Sequence, residues 1–171
     1  FGKRVARYAS SPMAPAGSAR LPPDSALHGA VSRAARGGRV AFLVFANRGF
    51  APLLTNLLCS LARFDLDAQT VAIGSSAQLC GVLANVSSAA CVTLAEVPHA
   101  LSSVRPNQQA ASWGDDDYRT LTATKFSVFT AIVGAGFDVA LLDADVVLAA
   151  DPRPELHRII ASGADVANMV N

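Results

Sequence analysis

The spacing of apolar and polar positions changes in blocks along this chain. From Val40 to Ala46 (VAFLVFA) every position is apolar, the pattern of a parallel strand covered on both faces. Asn47-Arg48-Gly49 then makes a turn. Beyond it Phe50, Leu53, Leu54, Leu57, Leu58, Leu61 and Phe64 recur at helical spacing, which predicts an amphipathic helix lying on the sheet. The cycle repeats. Gln69 to Ile73 is a second strand, followed by Gly74 and a helix through about Leu83. Ala90 to Leu94 is a third strand, and Glu96 to Asp117 is loop-like. Tyr118 to Val133 is a helix whose buried stripe is marked by Leu121, Phe129 and Ile132. Val139 to Leu142 (VALL) is a further strand, expected to be buried on both faces and central. A short helix over Glu155 to Ala161 and a strand over Ala164 to Val170 follow. Strands and helices alternating at this spacing predict a doubly wound, Rossmann-like α/β sheet with helices on both faces.

Phe1 to Pro23 shows no such spacing and is rich in Ala, Ser, Pro and Arg, as expected of a linker or stalk. A short helix capped by Asp24 or Ser25 and stopped by Gly37-Gly38 completes it. Residues 1–38 are therefore assigned to a linker and 39–171 to the folded unit. Asn171 falls inside a strand pattern, so the chain is taken as a piece of a longer protein with its C-terminal part missing. Of the 171 residues 51% are hydrophobic and 16% charged, enough apolar surface for one domain with a core. The net charge of +1 gives no reason to expect nucleic acid or an anionic membrane as partner. No apolar run reaches the roughly 18 residues of a membrane span, so anchoring would need a segment not present here. Cys59, Cys80 and Cys91 have no metal-binding spacing, and Cys59 and Cys80 sit in helical patterns. Buried free thiols are the expectation.

Candidate chemistry concentrates where the strand Val139–Leu142 ends. Asp143 and Asp145 flank Ala144 there. Two carboxylates at the carboxyl end of a buried strand are costly to desolvate without a cation or a protonated partner. In open α/β sheets that end is where ligands bind. Hard oxygen donors suit Mg²⁺ or Mn²⁺, which also bridge phosphates. Lys125 lies four residues from both Leu121 and Phe129, on the apolar stripe of its helix, and must either snorkel or meet an anion. A carboxylate near Asp143 or a substrate phosphate would serve. Asn47, at the carboxyl edge of the first strand, is either a turn residue or a ligand to a base or ribose. No GxGxxG and no GxxxxGK[ST] occurs, so neither a dinucleotide fingerprint nor a P-loop is claimed.

The ordered set Lys125, Gly136, Asp138-Val139, Asp143-Ala144-Asp145-Val146-Val147 and Asp151-Pro152, with FANRGFAPLLTNLLCSL upstream, resembles the nucleotide-diphospho-sugar transferases that include plant and algal arabinosyl-, xylosyl- and galactosyltransferases. The resemblance covers Val40 to Asn171 and implies a GT-A fold, with 39–171 as its nucleotide-sugar-binding half. It implies that Asp145 coordinates Mn²⁺ or Mg²⁺ directly and that Asp143 contacts the ribose, or the metal through water. Asn47 and Ala144 would lie against the nucleotide sugar and Lys125 near the phosphates or carboxylates. Leu148 stands where an aromatic often follows this motif. The implied activity is transfer from a nucleotide-sugar donor, a UDP-sugar foremost, to a glycan or glycoprotein acceptor. The implied location is the Golgi lumen, in a type II membrane protein of cell-wall or glycoprotein synthesis. Two other readings fit the same carboxylates. One is a phosphohydrolase of the haloacid dehalogenase type, with Asp143 as nucleophile and Asp145 as acid/base. The other is a non-catalytic or truncated sugar-nucleotide fold.

Overall fold

The computed structural model describes residues 20–98 and 116–163. Residues 1–19 of the expected linker, the segment holding His99 and Trp113, and the strand expected over 164–170 lie outside the described residues. Within them four parallel strands form one sheet, β1 (Ala41–Ala46), β2 (Thr70–Gly74), β3 (Ala90–Thr93) and β4 (Val139–Leu142). Their order is β3-β2-β1-β4. Leu43 of β1 sits between Val71 and Leu141. The helices are α1 (Ala26–Ala34), α2 (Ala51–Ala62), α3 (Ala77–Ala84), α4 (Asp116–Gly134) and α5 (Arg153–Ala161).

The period of two along each strand sorts the core into two layers. Ala41, Leu43 and Phe45, with Val71, Ile73 and Val92, face α1 and the Val128, Ala131 and Ile132 side of α4. Phe42, Val44, Ala46 and Ala72 face the leucines of α2 (Leu54, Leu57, Leu58, Leu61) and α3 (Leu79, Leu83). Helices therefore cover both faces, and the sheet is the Rossmann-like α/β architecture the alternation predicts. All of β1 is buried, and burying a Leu or Phe side chain contributes about 1.5–3 kcal/mol. A polar substitution at Val44, which is fully buried, would therefore break the sheet at its most covered point.

Local signals explain the boundaries. Ser25 caps α1, its hydroxyl accepting from the His28 N–H at 3.2 Å. Ser76 does the same for α3 through the Leu79 N–H at 3.4 Å. Gly136, at φ +88°, turns the chain from α4 back into the sheet in a conformation that favours glycine.

The structure departs from the sequence expectations in three places. Val139–Leu142 is the edge strand of the described sheet, and all four of its residues are half-buried. A short apolar run specifies a strand but not how many neighbours it has, so centrality passes to β1 and β2. Cys80 and Cys91 are joined in a disulfide with Cα atoms 5.4 Å apart, and Cys59 is free but exposed. Parallel pairing of β3 with β2 brings Cys91 under α3, a tertiary contact that spacing alone does not reveal. Finally α1, although it precedes residue 39, packs Leu27, Ala30, Val31 and Ala34 into the core. No helix among the described residues is long and apolar enough to cross a membrane.

Candidate functional site

From β1 the chain builds outward through α2, β2, α3 and β3, then crosses back over the other face through α4 to place β4 on the far side of β1. Strand order reverses between β1 and β4. In open α/β sheets the carboxyl ends at such a reversal diverge and leave a crevice. Asn47 follows the last residue of β1 and Asp143 the last residue of β4, so both stand at this switch point. The pairing of Val44 with Leu142 lets Asp143 leave the sheet level with Phe45.

The segment after β4 alternates between solvent and core. Asp143 and Asp145 are exposed, whereas Ala144 between them is buried against the α2–α3 layer. The Val146 N–H donates to the Asp143 carbonyl at 3.2 Å, closing a tight turn. Val146 and Val147 are exposed, and Leu148 returns to the same apolar layer as Ala144. The Leu148 N–H donates to the hydroxyl of Ser60 on α2 at 3.1 Å. Asp145 makes no hydrogen bond or ion pair among the described residues.

Lys125 reaches from α4 to Asp143, and the ammonium pairs with the carboxylate Oδ1. The lysine side chain is 20% exposed and the aspartate 66%. Of the two outcomes open to the stripe position, snorkelling or an anion, the structure shows an anion, Asp143. A pair so open to water contributes at most about 1 kcal/mol to stability, so a competing ligand can part it cheaply. Asn47 is 4% exposed and precedes the turn Arg48–Phe50, with no side-chain capping bond to it.

Asp151 is of a different kind. It accepts from the Arg153 N–H at 2.9 Å and from the Arg153 guanidinium at 2.7–3.0 Å. The Arg153 hydrogen bonds hold its carboxyl below the usual range. It fastens the start of α5 and is already satisfied. Two buried hydroxyls escape sequence reasoning. Ser60 interrupts a leucine stripe, which is a faint signal. Ser75 follows β2 directly, is 5% exposed, and ties in through its N–H to the Ala46 carbonyl at 3.0 Å; nothing in the sequence marks it.

No cluster of three or more His, Cys, Asp or Glu side chains that could hold a metal exists among the described residues. A closed protein cage is therefore not built here. Mg²⁺ commonly takes one or two carboxylates and completes its shell with water and substrate phosphate. Asp143 and Asp145, exposed and hard, fit that shared mode.

A doubly wound sheet with an acidic lip at its switch point defines an α/β protein with a ligand crevice at that edge. The family model of nucleotide-diphospho-sugar transferases matches residues 86–171, half of the chain, and the chain belongs to that family. The match takes in Lys125, Asp143, Ala144 and Asp145, while Asn47 lies ahead of it. Comparison with curated proteins and with solved structures gave no match.

Proposed function

We propose that the chain is the donor-binding half of a metal-dependent glycosyltransferase. It takes a nucleotide sugar, a UDP-sugar foremost, whose sugar passes to a glycan or glycoprotein acceptor. The observation that carries this reading is the pair of solvent-facing carboxylates beside the β1–β4 switch point, in a segment that matches the family.

Asp145, with no partner among the described residues, is the direct holder of Mn²⁺ or Mg²⁺. Asp143 is the second holder or the ribose contact. When bound, such an ion neutralises charge developing on the departing diphosphate. Lys125 then leaves Asp143 and offers its ammonium to a phosphate oxygen, a charge-assisted contact stronger than its present exposed pair. Ala144 keeps its methyl in the core, so only its backbone can face the donor. Asn47, across the crevice, supplies amide contacts to the nucleoside. The Cys80–Cys91 bridge agrees with work in an oxidising lumen such as the Golgi.

Calorimetric titration of UDP in the presence of Mn²⁺ tests the reading. The expected result is metal-dependent binding that Asp145→Ala weakens on the order of a thousandfold, more than the 10–100-fold typical of groups one step removed from a metal. Binding that ignores either the metal or the substitution would overturn it. Formation of a beryllofluoride adduct on Asp143 would favour the phosphohydrolase instead.

A further inference from the structure

The six residues from Asp143 to Leu148 form an arch with two feet. Ala144 stands in the α2–α3 layer at one end and Leu148 at the other, each 8% exposed. Asp145, Val146 and Val147 project between them. The first foot is held by packing and by the end of β4. The second is held by packing and by one hydrogen bond that spans 88 residues of sequence, from the Leu148 N–H to the Ser60 hydroxyl at 3.1 Å.

Ser60 is 4% exposed. Its hydroxyl donates to the Leu57 carbonyl at 2.7 Å. With its proton committed there, the oxygen turns a lone pair toward Leu148. An alanine would leave the Leu148 N–H buried without an acceptor, and buried amides rarely stay so. The segment would shift to reach water, and Asp145, three residues away, would move with it. Neighbouring Cys59 is exposed and cannot take over.

We propose that Ser60, on a helix with no charge of its own at the lip, is a positioning residue for Asp145. It fixes the downstream foot of the arch and so the place at which the carboxylate meets a cation. The inference rests on the reading of Asp145 as metal holder.

The test measures amide hydrogen exchange at Leu148 and Mn²⁺-dependent UDP affinity on the whole chain, for the unsubstituted protein, Ser60→Ala and Ser60→Thr. In Ser60→Ala the Leu148 amide exchanges at least about tenfold faster while amides of β1 stay protected, as for a local opening. Affinity falls about tenfold, the scale of a group acting through a ligand. Ser60→Thr, which keeps the hydroxyl, restores both. If Ser60→Ala does not fold, Ser60→Cys, whose sulfur is only a weak acceptor, replaces it. Unchanged exchange at Leu148, or faster exchange with unchanged affinity, overturns the proposal. If the unsubstituted chain binds no UDP with Mn²⁺, the transferase reading fails first, and that outcome is visible without any variant.

Discussion

Asp67, at the amino ends of β2 and β3, and Asp145, beyond the carboxyl end of β4, are acids beside the same sheet that meet opposite surroundings. Asp67 accepts from the Ser88 hydroxyl at 2.7 Å, the Ser88 N–H at 3.0 Å and the Ser87 hydroxyl at 3.3 Å. Burial pushes its carboxyl up, but these bonds and the Ala68 N–H outweigh burial and hold it below its ordinary range. Glu96, near the end of β3, is treated alike. The Thr93 N–H at 2.8 Å and hydroxyl at 2.7 Å keep its carboxyl low. The Cys80–Cys91 bridge adds a covalent tie on the same side. On the β4 side Asp143 has one exposed lysine, and Asp145 has no partner among the described residues. An ionised carboxylate accepts at about four sites. Where the chain fills them, the acid is a fastening. Where it leaves them open to water at a switch point, the acid is available to a ligand.

Three experiments can break or sharpen this contrast. The largest effect is expected from the double substitution Cys80→Ser/Cys91→Ser. Opening the loop closed by this bridge should lower stability by about 3 kcal/mol, read as a shift in the denaturant midpoint. Mn²⁺–UDP affinity should hold, and an affinity loss on the scale of Asp145→Ala would erase the division between the two sides. Next comes Asp67→Asn, expected to cost about 1 kcal/mol at neutral pH through its weakened hydrogen bonds. Because the folded carboxyl lies below its ordinary 3.8, its contribution is complete above about pH 4 and is lost as pH falls through the folded value. Melting curves of the two proteins should therefore draw together as pH falls below about 4 and coincide only below the folded value. A gap that persists in acid would mean that Asp67 acts by shape and not by charge. The smallest effect on stability belongs to Lys125→Met. Its exposed pair should leave unfolding within about 1 kcal/mol of the unsubstituted protein, while nucleotide affinity falls about fivefold. A large stability loss with intact affinity would move Lys125 to the fastening class.

Long patterns are legible in the sequence alone. The unbroken VAFLVFA run and the leucine stripe behind it became β1 and α2, because one short window contains the whole signal. The acids after VALL stand out because charge directly follows an apolar run, although the structure leaves that run half-buried and both acids exposed. What stayed hidden depended on partners distant in sequence. That β4 has only β1 beside it in the described sheet is decided by topology. The partner of Cys80 is set by how β3 docks on β2. Ser60 looks like a flaw in a helix until Leu148 arrives from 88 residues away. Asn47 can be placed at the lip from its turn, but nothing in the turn tells that it is buried.

Ala144 contributes a single methyl group to the core, and that methyl sets the gauge between the acids on either side of it. A bulkier side chain there would act as a lever, prising both carboxylates outward before any charge was altered. The spacing of this pair is thus inherited from the apolar layer beneath it.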